Sequence, residues 1–372
     1  MKRLTIDPRP DHGAKLEEIG LSFHGWDGYW KEDACYEFTA DQVDMLEAVT
    51  QELHGMCLDA VRYIIERDRF AQLGIPVAFW DPIRDSFKRG DQSLYGRFDF
   101  AYDGINPPKM LEYNADTPTS LLESAVAQWY WLEEKFPRYD QFNSLHEKLV
   151  ERWKQIAGNA KTITFASVTD NEEDWVCVHY MMDTAIQAGF EAKHIYVEDI
   201  GWNGTNFIDL DKKKIEALFK LYPWEWVMRE PFGEFVPKGK TQFIEPTWKS
   251  LLACKGLLPI LWEMHPGHEN LLAAYFEEDK GKLKSYAKKP LYSREGANVE
   301  LFKDGELLTR DRGPYGGEGH IYQELFELPC FDGKYPVIGS WVVGDEPAGM
   351  CIREDKSLIT TNLSNFVPHY FK

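Results

Sequence analysis

Tyr95-Gly96-Arg97-Phe98-Asp99-Phe100, followed after Asp103-Gly104 and Pro107-Pro108 by Leu111-Glu112-Tyr113-Asn114, is the stretch on which the reading of this chain turns. Polar and apolar residues alternate in both halves, the period of a strand, and the turn residues between them predict a hairpin over 94–114. Alternation puts Arg97 and Asp99 on one face and Phe98 and Phe100 on the other. In the second strand Glu112 and Asn114 share a face, with Leu111 and Tyr113 opposite. If the aromatic faces are buried together, two carboxylates, an amide and a guanidinium meet on one surface. Such oxygen donors suit Mg²⁺, which keeps several waters and binds substrate phosphates. A guanidinium fork suits phosphate oxygens and a transferring phosphoryl group. The same residues also suit a surface hairpin with ordinary cross-strand ion pairs. The loop that follows, Ala115-Asp116-Thr117-Pro118-Thr119-Ser120, leads into a helix. It either offers N–H groups to an anion such as a substrate carboxylate or simply caps that helix.

Outward from the hairpin, residues 39–73 predict a long helix. Thr39 and Gln42 form a capping box, and Val43, Leu46, Val49, Leu53, Cys57, Ala60 and Ile64 recur at helical spacing. Thr119 is expected to cap a helix over 120–136, and another is expected over 145–157. Residues 162–168, 173–188 and 194–197 read as a small β-α-β unit. Glu245 to Leu261 reads as a further helical stretch. The last part is mostly strand: 299–303 and 306–310 flank Asp304-Gly305, a hairpin signal, with further strands at 320–328, 335–343 and 349–353. The chain is therefore expected to be α+β with largely antiparallel sheets at both ends. Its expected lobes cover 1–157, 158–250 and 251–372.

Composition narrows the function. The 372 residues carry a formal net charge of −19, which repels nucleic acid and attracts cations such as Mg²⁺ and polyamines. Acidity of this kind also serves solubility alone. No apolar run reaches the roughly 18 residues a membrane span needs, and the start has no signal-peptide pattern. Six separated cysteines without a C-x-x-C pair suit free thiols in a reducing cytoplasm. Two motifs fail on inspection. Gly239-Lys240-Thr241 lacks a P-loop glycine in register, and the Pro-Gly between His265 and His268 makes a turn where a zinc helix is needed.

Taken together, the two hairpin segments, Lys255-Gly256-Leu257-Leu258-Pro259, Lys289-Pro290-Leu291-Tyr292-Ser293-Arg294-Glu295-Gly296-Ala297-Asn298 and Ile321-Tyr322-Gln323-Glu324-Leu325 resemble the synthetase part of the glutathionylspermidine synthase family, in order and over nearly the whole chain. The resemblance implies an ATP-grasp type fold with a small preATP-grasp-like α/β lobe. It implies an ATP- and Mg²⁺-dependent ligase that joins an acid to an amine through an acyl phosphate. The acid would be glutathione or another peptide-like molecule and the amine polyamine-like. Residue by residue, it implies Asp99, Glu112 and Asn114 as Mg²⁺ ligands and Arg97 beside the transferred phosphate. Lys255, Lys289 and the Gly296 loop would hold ATP phosphates, and Gln323, Glu324 and Leu325 would meet the adenine edge. Thr117, Thr119 and Arg353 would face the acid substrate. Complete family members carry an amidase domain with a cysteine nucleophile. This chain is expected to lack it, so no hydrolase activity is implied. The rival readings are a ligase for a different acid and amine, and an ATP- or polyamine-binding protein without turnover.

Overall fold

The computed structural model describes residues 1–158 and 160–372. The predicted hairpin is present as strands Tyr95–Ala101 and Lys109–Asn114. It forms one edge of a five-stranded antiparallel sheet that continues through Tyr335–Val343 and Glu346–Asp355 to Asn365–Phe366. The sheet thus interleaves the middle of the chain with its end. Phe98, Phe100 and Tyr113 lie buried on its inner face, where the Phe98 and Tyr113 rings stack with centroids 3.8 Å apart. The long helix Ala40–Glu66 packs against this sheet through the expected apolar stripe. Its capping box is formed: Gln42 N–H donates to Thr39 Oγ1, and Thr39 N–H donates back to Gln42 Oε1. Inside that interface Thr50 Oγ1 and Ser340 Oγ hydrogen bond at 2.7 Å, which satisfies two buried hydroxyls.

A second five-stranded antiparallel sheet has the order Ala274–Phe276, His320–Glu324, Tyr286–Pro290, Glu300–Lys303, Glu306–Arg310. The β-α-β unit belongs to a four-stranded parallel sheet, with Thr162–Ser167 and Glu191–Tyr196 joined by the helix Glu172–Gln187. The architecture is α+β with mostly antiparallel sheets and one small α/β unit, as expected. Among the described residues no helix is long and apolar enough to cross a membrane. Five of the six free cysteines are buried and Cys330 is exposed.

Four local expectations are corrected. Leu111 does not share a face with Tyr113. Asp99 pairs with Glu112 but Phe100 pairs with Met110, so Leu111 is the extra residue of a β-bulge and turns toward the cleft described below. The helix after the loop begins at Leu121, because Ser120 takes a left-handed φ of 71°, and it contains a π-helical turn over Glu123–Ala127. The stretch 245–261 is two short helices, Ser250–Ala253 and Leu257–Met264, interrupted at Cys254–Gly256. The strand from His320 ends at Glu324.

Candidate functional site

The two antiparallel sheets face each other across a cleft made of two adjoining cavities. One, of about 130 Å³, is lined by Lys255, Lys289, Ser293, Gln323 and a row of aliphatic side chains including Ala287, Val299, Leu301 and Leu325. The other, of about 530 Å³, is lined by Arg97, Asn114, Thr117, Thr119, Arg294 and Arg353. Asp99, Glu112, Glu295 and Gly296 border both. Every site residue expected from the sequence reaches one cavity or the other.

The hairpin register does the assembling. Arg97 stands opposite Asn114 and Asp99 opposite Glu112. Arg97 Nε donates to Asp99 Oδ1 at 2.8 Å, and Nη1 donates to the Thr119 carbonyl at 3.0 Å. Gly339, on the neighbouring strand, leaves room for this arginine: a Cβ there would stand 2.8 Å from Arg97 Cδ. Asn114 Nδ2 donates to Asp99 Oδ2 and to Glu112 Oε1. The hairpin is itself pinned by a buried carboxylate, since Glu245 accepts from the N–H groups of Leu94 and Tyr95.

The lysines arrive from separate elements. The break at Cys254–Gly256 turns Lys255 into the cleft, where Nζ lies 3.1 Å from Glu112 Oε2 and donates to the Ser293 carbonyl at 2.9 Å. Lys289, on Tyr286–Pro290, donates to the Leu111 carbonyl and to Gln323 Oε1 at 2.7 Å. Gln323 therefore holds Lys289 in place, its own amide N–H₂ donating to the Met110 carbonyl. The N–H groups of Glu324 and Leu325 are engaged by the carbonyls of Ala273 and Ser285. Gly296 takes a φ of +72°, and a Cβ there would fall 2.6 Å from the Thr360 carbonyl oxygen, so the loop needs glycine.

Charge is tuned by this packing. Burial raises the Asp99 carboxyl, against the pull of Arg97. Burial acts the same way on Glu112, but the neighbouring Lys255 and Lys289 outweigh it and bring that carboxyl down to about 2. Burial lowers Lys289 to about 8, against the attraction of Glu112. Arg97, Lys255 and Lys289 thus surround Asp99 and Glu112 where the cavities meet, with Glu295 on the same border. For a metal, Asp99 and Glu112 could supply carboxylate oxygens, and Asn114 could join them with its amide oxygen turned toward them in place of the Nδ2 that faces them here. Among the described residues no group of three or more His, Cys, Asp or Glu could hold an ion unaided. Two carboxylates and an amide, with the remaining positions left to ligand oxygens and water, fit Mg²⁺ rather than zinc.

Sequence reasoning did not single out several groups in the larger cavity. Arg294 crosses the cleft, donating to Thr117 Oγ1 at 2.6 Å and to Glu225 Oε1 at 2.9 Å, with its guanidinium over the Trp226 ring. Its position between Lys289 and Gly296 was the available signal. Glu173 and Asp174, in the first turn of the helix Glu172–Gln187, form an acidic wall, and burial together with Glu173 pushes Asp174 up to about 7. Asp116 fastens the 115–120 loop to the parallel sheet through Lys220 Nζ and to the helix after it through Trp224 N–H, both at 2.7 Å. Arg353, expected from the sequence, is held by the carbonyls of Thr361, Asn362 and Ser364 and lies over the Tyr29 ring. The Tyr29 hydroxyl donates to Glu123, a buried carboxyl raised to about 7 by desolvation. A larger hollow of about 1050 Å³, between the helices His12–Glu18, Gln128–Lys135 and Glu172–Gln187, contains none of the expected site residues.

Comparison with known proteins gives the class. The family model described as "Glutathionylspermidine synthase preATP-grasp" matches residues 3–372, and the chain belongs to that family. It is 44% identical to a Haemophilus influenzae protein named "Putative acid--amine ligase", with 100% of each chain covered. It is 30% identical to trypanothione synthetase of Crithidia fasciculata, covering 83% of this chain and 52% of that one. It is 28% identical to the bifunctional glutathionylspermidine synthetase/amidase of Escherichia coli K12, covering 90% and 58%. The chain thus spans the whole of the first relative and little more than half of the other two.

Proposed function

We propose that this chain is an ATP-dependent acid–amine ligase that works through an acyl phosphate. The observation carrying the proposal is the division of one cleft into two cavities that meet at Asp99 and Glu112. The narrow cavity, lined by aliphatic side chains and two lysines, has the residue types that meet a base and its phosphates, and at about 130 Å³ it would have to open to take a whole nucleotide. The wide cavity, lined by Arg97, Arg294 and Arg353 together with Glu173 and Asp174, suits an acid and an amine together. In this reading Lys255 and Lys289 hold the β- and γ-phosphates and Arg97 faces the γ-phosphoryl group. Arg294 and Arg353, with Thr117 and Thr119, orient the acid. Its carboxylate oxygen bonds to the γ-phosphorus as the bond to ADP breaks, and Arg97 stabilises the migrating charge. The amine, drawn in by Glu173 and Asp174, then bonds to the acyl carbon. Inorganic phosphate leaves and a proton is released. Mg²⁺ held by Asp99, Glu112 and Asn114 would neutralise phosphate charge when bound.

The relatives named for trypanothione and glutathionylspermidine synthesis support glutathione or a related peptide as the acid and a polyamine as the amine. The test is oxygen transfer. With ¹⁸O in the acid's carboxylate, the released phosphate should carry one ¹⁸O atom per turnover. Phosphate free of label during amide formation would refute the acyl phosphate.

A further inference from the structure

The segment joining Tyr286–Pro290 to the Gly296 loop carries a group that the roles above leave unused. Ser293 is only 8% exposed, lines the nucleotide-side cavity, and its hydroxyl has no hydrogen-bond partner among the described residues. Buried hydroxyls are normally paired, and an unpaired one costs stability. The segment is held firmly. Leu291 N–H donates to the Gly319 carbonyl, the Leu291 carbonyl accepts from Lys255 N–H, and the Tyr292 hydroxyl donates to the Leu73 carbonyl. The backbone at Ser293 is therefore fixed, with Lys255 Nζ against its carbonyl.

Its surroundings say what would pair with it. Lys255 Nζ, which donates to the Ser293 carbonyl, and Lys289 Nζ are donors only and can accept nothing from a hydroxyl. Glu112 already accepts from Lys255 and Asn114, and Glu295, which borders the same cavity, makes no bond to Ser293. Neither carboxylate pairs with the Ser293 hydroxyl, and phosphate oxygens are acceptors.

We propose that Ser293 is a nucleotide-binding residue whose hydroxyl donates to a phosphate oxygen of a nucleoside triphosphate held between Lys255 and Lys289. This deepens the ligase reading and rests on it. The hydroxyl stays unpaired in the free protein and gains its partner with the ligand, so binding and stability should move in opposite directions on its removal.

The experiment is calorimetric titration of the full chain with Mg-ATP, paired with thermal melts of the free protein, for wild type, Ser293→Ala and Ser293→Cys. Expected are a Kd roughly tenfold higher in both variants, the loss of about one hydrogen bond to a charged group, and a Tm for free Ser293→Ala equal to or above that of wild type. Ser293→Cys keeps the side-chain shape, slightly enlarged, but is a weak donor, so a loss shared with Ser293→Ala reports bonding and not an emptied space. Mg-ATP affinity within twofold of wild type in both variants would overturn the proposal. So would a Tm several degrees lower in Ser293→Ala, which would make the hydroxyl structural. Wild-type protein that binds no Mg-ATP would instead overturn the nucleotide reading of the cavity, and this inference with it.

Discussion

The two cavities of the cleft border the same carboxylates but are built differently. In the narrow cavity, Lys289 and Gln323 lie on adjacent strands that set their positions, and Lys255 comes from the break between two short helices. In the wide cavity, Thr117, Thr119, Arg294, Arg353 and the acidic pair Glu173 and Asp174 come from separate parts of the chain, several of them loops, cross-linked by side chains. A scaffold of strands presents one constant ligand in one constant way. Side chains converging from several segments can be exchanged one at a time, so such a cavity can change its ligand without a change of scaffold.

Substitutions can break this contrast. The largest effect is expected at the junction. Arg97→Lys keeps the charge but loses the fork that grips Asp99 and the Thr119 carbonyl, and ADP release should fall by about 10³-fold or more. Steady-state ADP assays at saturating Mg-ATP check it. Next, Lys255→Met should weaken Mg-ATP binding by about 10- to 100-fold. Arg294→Lys should leave Mg-ATP affinity within about twofold while reducing acid-dependent turnover at least tenfold. Comparable losses of nucleotide affinity in both variants would mean that the two cavities are not chemically separate.

Smaller effects sharpen the picture. Gly296→Ala forces a left-handed residue against the Thr360 carbonyl and should cost about 1–3 kcal/mol in thermal unfolding. The pH dependence follows from Lys289, lowered to about 8 by burial. Its charge is present below pH 8 and lost above it, so Mg-ATP affinity should decline by up to about tenfold per pH unit as pH rises past 8. Bound phosphate favours the protonated lysine, so binding in that range should take up a proton. Titration calorimetry in buffers of different ionisation enthalpy reads this directly.

Much of the scaffold was legible because it is periodic. The alternation through 95–100 and 111–114 located the hairpin and its polar face, and the stripe from Val43 to Ile64 located the long helix. What periodicity missed is where the backbone departs from it. The bulge at Leu111, the left-handed Ser120 with the π turn after it, and the break at Cys254–Gly256 all interrupt a regular pattern, and all three adjoin the cleft. The contacts of Arg294 were not legible at all, since Thr117 and Glu225 meet it only through tertiary packing. Ser293 likewise becomes notable only once its hydroxyl is seen to lack a partner.

The central claim is that one cleft couples ATP cleavage to the joining of an acid and an amine. It is tested most directly by ADP release from the purified protein with Mg-ATP, glutathione and spermidine, each omitted in turn, with Glu112→Gln alongside. The account predicts ADP formation that needs both the acid and the amine, is matched by an amide product in the mass spectrum, and is lost in the folded variant. ADP formation that is indifferent to acid and amine, or that survives in Glu112→Gln, would contradict it.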